Sequence, residues 1–141
     1  MSFLLKFLLL LGGVLCAALT FAAEPPTSTM AAPESRVSSV GGVTVKVTPA
    51  NFATGAKTWD FAIVLDTHSA DLTDDLVKSS LLLDGTGGQY APLAWDGASP
   101  GGHHREGVLR FTPVFAQPQS IELQITRAGE GAPRSFRWQL R

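Results

Sequence analysis

Histidine and carboxylate side chains are the groups in this 141-residue sequence best suited to chemistry, and they concentrate in two stretches. The run LDTHSADLTDD holds one of the three histidines, and WDGASPGGHHREG holds the other two. Imidazole nitrogens and carboxylate oxygens bind zinc and copper(II) without help from a thiolate. The sequence therefore predicts a zinc or copper site that draws on both stretches. Its candidate ligands are His68, His103, His104, Asp66 and Asp71.

The two adjacent histidines restrict this predicted site. Neighbouring side chains of a regular strand point to opposite faces, so only His103 or His104 is expected to join His68. The alternative is that His103 and His104 hydrogen-bond to neighbouring carbonyls and stabilise their turn, and that His68 does likewise with a carboxylate. Metal titration of the purified protein distinguishes the two interpretations.

Two other kinds of chemistry fit the sequence less well. The acidic stretch 71–75 offers oxygen ligands for calcium, but it lacks the glycine and the distal glutamate of a helix-loop-helix calcium site. Ser69, His68 and Asp66 are sequence neighbours, whereas a catalytic triad is assembled from distant segments. The sequence contains no nucleophile elbow, zinc-protease helix or phosphate-binding loop. We therefore expect a solvated acidic loop and a protein that is not an enzyme.

The elements that position these stretches are strands, because apolar and polar residues alternate over most of the chain from Val43 onwards. Seven strands are predicted, at residues 43–48, 59–66, 79–83, 89–95, 104–111, 120–127 and 136–141. Pro92 in the fourth of these suits the edge of a sheet. A hairpin turn is expected at 84–88, and a structured loop with one or two helical turns is expected around 72–76.

Seven short strands separated by turn signals resemble the immunoglobulin or fibronectin type III architecture, from about residue 43 to the C-terminus. The sequence departs from that pattern because it has no cysteine pair and places Trp59 on the second strand, whereas the immunoglobulin tryptophan lies on the third. The strings LDTHS and GGHHREGVLRF also resemble small exported bacterial proteins without an assigned activity. The expected fold class is all-β, a single seven-stranded antiparallel immunoglobulin-like sandwich.

The resemblance implies that the loops after the second, fourth and sixth strands emerge at one end of the sandwich. These loops span residues 68–78, 96–103 and 128–133. Their convergence would bring the three histidines together on one functional face. Trp95, Arg105 and Asp74 are expected to contribute to this binding face. Trp95 would cover the loops or anchor a partner, and Arg105 would be a surface charge that can pair with a loop aspartate.

The first 22 residues are expected to be an export signal. Lys6 precedes an apolar run over 7–19, and residues 20–22 offer a cleavage site. The run is shorter than the about 20 residues of a membrane span, so no retained transmembrane anchor is expected. Cys16, the single cysteine, follows Leu15, where a lipoprotein signal requires a smaller residue. Lipidation at Cys16 is therefore the alternative to removal with the signal.

The chain is thus expected to consist of a signal peptide (1–22), a flexible leader rich in Pro, Ser, Thr and Ala (23–40) and the domain (41–141). The formal net charge of −1 provides no basic field for nucleic acid. We expect an exported, periplasmic or extracellular module that binds a protein or small ligand, with a zinc- or copper-binding protein as the alternative. Oligomerisation through the edge of the last strand and a passive role in an envelope assembly stay open.

Overall fold

The computed structural model describes residues 33–53 and 55–140. The predicted signal peptide, with Cys16, and most of the predicted leader lie outside these residues. The described residues form nine strands and one short helix, which confirms the all-β class but not the count of seven strands. The elements are β1 (Arg36–Val40), β2 (Val43–Asn51), β3 (Trp59–Thr67), α1 (Leu76–Ser79), β4 (Ser80–Leu83), β5 (Gln89–Tyr90), β6 (Ala94–Gly97), β7 (His104–Phe111), β8 (Ser120–Ile125) and β9 (Arg134–Gln139).

The strands make two antiparallel sheets in a sandwich-like arrangement. The first sheet has the order β1-β2-β3-β7-β6, and the second has the order β5-β4-β8-β9. The predicted inward-facing positions are buried, because the alternation gives each long strand one apolar face. Phe61 packs edge-on against Phe111 with ring centroids 5.5 Å apart, and its ring lies 5.7 Å from that of Trp138. These contacts join both sheets in one core.

The predicted fourth strand, residues 89–95, is instead two short strands in different sheets. β5 pairs with β4 of the second sheet, and β6 pairs with β7 of the first. Pro92 lies buried between them, where the chain crosses from one sheet to the other. Regular pairing stops there because proline has no N–H to donate. The next N–H, that of Leu93, already donates to the Arg110 carbonyl of the first sheet at 2.7 Å.

The domain also begins earlier than the boundary predicted at residue 41. β1 occupies the end of the segment predicted as a flexible leader, 23–40, and pairs with β2 along its whole length. Gly41 and Gly42 connect the two strands with φ values of +56° and +76°, which glycine adopts without strain. Most of β1 is exposed, so its sequence lacks the apolar alternation that marks the other strands.

The structured loop predicted around residues 72–76 ends in α1, a single helical turn. The Asp75 carboxylate caps this turn by accepting the N–H groups of Val77 and Lys78 at 3.2 and 3.4 Å. Leu72 and Leu76 are both buried in the core, which fixes the loop against the sandwich. Among the described residues there is no helix long and apolar enough to cross a membrane.

Candidate functional site

Four connections meet at one end of the sandwich, which we call the loop end. It consists of the β1–β2 turn at 41–42 and the loops 68–75, 98–103 and 126–133. The Leu72 N–H donates to the Gly102 carbonyl at 3.0 Å, and the Gly101 N–H donates to the Leu72 carbonyl at 2.8 Å. The structure thus brings together the loops that the sequence pattern placed at one end. It adds the β1–β2 turn, which the sequence analysis did not include.

Arg105 is the centre of the loop end, and it is buried, with only 1% of its surface exposed. Its guanidinium donates to the carbonyls of Leu72 at 3.0 Å, Asp74 at 2.8 Å and Ala98 at 3.3 Å. The prediction that Arg105 is a surface charge paired with a carboxylate is therefore wrong. Its position on β7 alternates with the outward-facing His104, so its side chain enters the sandwich and meets loop carbonyls instead.

Trp95 covers the guanidinium of Arg105, which lies 5.7 Å from the centre of the indole ring. The indole N–H donates to the Ala98 carbonyl at 2.8 Å. Gly97 and Gly107 face each other beneath this ring, and a Cβ on either would come within 2.7 Å of it. Trp95 therefore acts as the predicted cover of the loops, and its polar group is already used inside the domain. Burial lowers the pKa of Arg105 below its ordinary value.

Thr67, the threonine of the run LDTHS, connects three segments of the loop end. Its buried hydroxyl donates to the Gly42 carbonyl at 3.0 Å and accepts the N–H groups of Ser69 and Ala70, each at 3.2 Å. Its own N–H donates to the His103 carbonyl at 2.9 Å. One residue therefore ties the β1–β2 turn, the loop 68–75 and the start of β7 together.

Buried ion pairs connect the second sheet to the loop end. Asp74, which was predicted to contribute to the binding face, is instead a buried carboxylate with 6% of its side chain exposed. It accepts a hydrogen bond from Arg127 Nε at 2.8 Å. Arg127 also approaches Glu130, at 3.4 Å between Nη1 and Oε1. Hydrogen bonds from Arg134 are the largest influence on Glu130, and they hold the pKa of this carboxyl below its ordinary value.

Arg134 holds the β1–β2 turn against the loop 126–133. It donates to the carbonyls of Ser38, Val40 and Val43, each at 2.9 Å. Burial of this residue and of Arg127 was not predicted, although the sequence contains a signal for it. Each continues the inward phase of its strand, because Arg134 precedes Phe136 by two positions and Arg127 follows Ile125 by two. An arginine in an inward position indicates a guanidinium that is buried and bonded.

His104 lies on the outer face of the first sheet, directly across from Asp66 of β3. Its Nδ1 is 2.5 Å from Asp66 Oδ1, and its Nε2 is 3.7 Å from Glu106 Oε2. The hydrogen bond to Asp66 is the main reason that the pKa of His104 is raised above its ordinary value. A carboxylate partner was predicted for His68 and a carbonyl partner for His104, so the structure gives the carboxylate to a different histidine.

The other predicted ligands do not join this pair. The side chains of His68, His103 and Asp71 are exposed, and they make no hydrogen bond or ion pair with the described residues. Within residues 33–53 and 55–140, no group of three or more His, Cys, Asp or Glu side chains is placed to hold a metal ion. Among these residues the structure therefore does not bring His68 together with a second histidine and a carboxylate, which was the predicted ligand set.

The opposite end of the sandwich has a different chemistry. An apolar cavity of about 280 Å³ lies there, lined by Phe52, Trp59, Val114 and Phe115 among others. The Phe115 side chain is 89% exposed. His68 and His103 belong to the loop end and His104 begins β7 directly beside it, so this opposite end holds none of the three histidines of the chain.

Comparison of the chain with protein-family models, characterised proteins and solved structures gave no match. The chemistry of the protein is therefore inferred from the loop end itself, where exposed imidazoles stand on loops that buried arginines hold in place.

Proposed function

We propose that the protein is an exported, immunoglobulin-like, non-enzymatic module that binds a protein or small ligand through its loop end. The observation that carries the proposal is that the polar residues of this end fall into two groups, one buried and bonded and one exposed. Arg105, Arg127 and Arg134 are buried and bonded to the loops, whereas the side chains of His68 and His103 are exposed and make no hydrogen bond or ion pair with the described residues. Binding residues in proteins are often found on loops that a rigid scaffold positions.

Rigidity of the loops favours binding for an energetic reason. A flexible loop loses conformational entropy when a partner orders it, and this loss lowers the affinity. At the loop end the backbone is already bonded across segments, for example between Leu72 and Gly102 and between Thr67 and His103. The exposed imidazoles can therefore contact a partner without a large ordering cost. Among the described residues, the hydrogen bonds of the histidine side chains go to a carboxylate and not to a hydroxyl, which supports binding and not nucleophilic catalysis.

Site-specific photo-crosslinking of the full-length protein in the exporting cell tests this function. A photoreactive amino acid replaces His68 in one variant and His103 in another, and a third variant carries it in place of Phe115 at the opposite end. We expect the loop-end variants to give a discrete crosslinked product that the Phe115 variant does not give. Far-UV circular dichroism of each purified variant confirms that the fold is retained. Crosslinks from Phe115 alone, or none from either histidine position, would contradict the proposal.

A second candidate function is zinc or copper binding at the same end. It is favoured by one observation, the contact between His104 and Asp66, because metal-bound histidines in proteins usually have their second ring nitrogen bonded to a carboxylate or carbonyl. The two functions are compatible, since an ion held at the loop end can itself be part of the surface that a partner contacts.

A further inference from the structure

The outer face of β7 presents His104 and Glu106 two residues apart, on the same side of the strand. Asp66 lies beside His104 on the neighbouring strand β3, and its Oδ1 is 2.5 Å from His104 Nδ1. In the neutral imidazole, the Asp66 carboxylate accepts the Nδ1–H, so the proton is fixed on that nitrogen and the lone pair is left on Nε2. The imidazole is therefore held in the tautomer that offers Nε2 as a ligand.

The free nitrogen faces a second donor atom. His104 Nε2 is 3.7 Å from Glu106 Oε2, a separation too long for a good hydrogen bond. Two ligands with bonds of about 2.1 Å to a tetrahedral metal ion stand about 3.4 Å apart. Glu106 would need to move its carboxylate by only about 0.3 Å to reach that geometry. Its side chain is 72% exposed, so nothing in its packing opposes the movement.

The geometry points to a site for zinc or copper(II) in which His104 Nε2 and the Glu106 carboxylate are ligands and Asp66 orients the imidazole. The inference rests on the proposed function as a binding module, and it names a ligand class for the outer face of β3 and β7 beside the loop end. Nitrogen and oxygen donors without a thiolate suit these two ions. Glu106, which the sequence analysis did not include among the ligands, takes the place given there to His68 and His103.

A site with two protein ligands leaves coordination positions for water or for a group on a binding partner. It is accordingly an exchangeable site and not a structural metal centre. This is consistent with the finding that no three-residue ligand group is present among the described residues. Because only two exposed side chains would bind the ion, we expect the protein to fold without it.

Isothermal titration of the metal-free protein with zinc chloride, and separately with copper(II), tests the inference. We expect one ion per chain, loss of binding in His104→Ala, and weaker binding in Glu106→Gln. In Asp66→Asn the affinity should fall about 10-fold to 100-fold, the usual effect of losing the group that orients a histidine ligand. The matched controls are His68→Ala and His103→Ala, which should bind as the wild-type protein does. The copper(II) complex should show coupling to a single imidazole nitrogen in its electron paramagnetic resonance spectrum.

Absence of binding by the wild-type protein would overturn the inference, as would binding that survives His104→Ala. An equal loss of affinity in His68→Ala or His103→Ala would overturn the assignment of the ligands. Far-UV circular dichroism of each variant excludes unfolding as the cause of a loss, and His104→Gln provides a second polar replacement at the same position. Photo-crosslinking in the presence of a chelator separates this inference from the proposed function. A partner that is still captured without metal leaves the binding face intact even where the titration fails.

Discussion

Replacing Arg105 by methionine is the most direct way to test how the loop end is held. The substitution keeps a long side chain beneath Trp95 but removes the guanidinium, and the three carbonyl acceptors respond differently. The Asp74 carbonyl loses the only hydrogen bond that the described residues give it. The carbonyls of Leu72 and Ala98 each retain a second donor, the Gly101 N–H and the Trp95 indole N–H, respectively.

The expected loss of stability follows from the hydrogen bonds that these three carbonyls lose. The orphaned Asp74 carbonyl is partly buried and costs at most about 1–3 kcal/mol, and each of the two hydrogen bonds lost from doubly bonded carbonyls costs about 0.5–1.5 kcal/mol. The variant recovers part of this total because it no longer buries a charged guanidinium. We expect Arg105→Met to lower the free energy of unfolding by about 2–4 kcal/mol, out of the about 5–15 kcal/mol that is usual for a domain.

Urea denaturation followed by tryptophan fluorescence measures this loss. The control is Lys46→Met, which removes a cation from the exposed face of β2 and should change the free energy of unfolding by no more than about 0.5 kcal/mol. Amide hydrogen exchange adds a local measurement, because the N–H groups of Leu72 and Gly101 should lose protection before the core strands do. The reasoning is refuted if Arg105→Met is no less stable than the Lys46 control, or if the protection of the loop amides is unchanged.

Three further changes test other parts of the structure. Gly107→Ala should destabilise the domain by about 1–3 kcal/mol, because the new Cβ would lie 2.5 Å from the Gly97 Cα. Arg134→Met should promote self-association, measurable by light scattering, because it uncovers carbonyls on the edge of β1. Hydrogen bonds from Thr86 are the largest influence on Asp84, and they lower its pKa to about 2. Since the folded state depresses this pKa, its contribution to stability is complete above about pH 4 and is lost as the pH falls towards 2. Urea midpoints at several pH values should show this loss in the wild-type protein and a smaller one in Asp84→Asn.

Each of these changes has a matched comparison. Gly131→Ala adds a Cβ that meets nothing within 4 Å, so it should unfold at nearly the wild-type urea concentration. Lys46→Met removes an exposed cation from β2 and leaves Arg134 bonded to the β1 carbonyls, so it should stay monomeric if the wild-type protein is. For Asp84, the comparison is between the wild-type protein and Asp84→Asn. If the free energy of unfolding depends on pH equally in both, the lowered pKa of the Asp84 carboxyl does not contribute to stability as described.

The strands of the core could be predicted from the sequence because each one alternates with a period of two. The inward positions of β2, β3, β7, β8 and β9 are buried as that period requires. β1 was missed because both of its faces are largely exposed, so no apolar face marks it. The division of residues 89–95 was missed because the effect of Pro92 depends on which strands are available to pair on either side of it. Local pattern does not contain that information.

The sequence predicted which loops meet at the loop end but not the hydrogen bonds that hold them. The predicted strand order placed the loops 68–78, 96–103 and 128–133 at one end, and this placement was correct. Alternate connections of an antiparallel sandwich share an end. The bonds that hold them join residues far apart in sequence, such as Arg134 with Val43 and Arg105 with Leu72. Arg105 was predicted to lie on the surface because it is charged. Its inward position in the strand alternation would have predicted its burial correctly.

The exposed histidine side chains of the loop end can be replaced without disturbing the fold. Because His68 and His103 make no hydrogen bond or ion pair with the described residues, replacing either by alanine should change the free energy of unfolding by no more than about 0.5 kcal/mol. Any loss of partner capture in these variants then reports on contact with the partner and not on damage to the frame. A loss of stability of several kcal/mol in either variant would show that the imidazole supports its loop, and the residue would then no longer be evidence for a binding face.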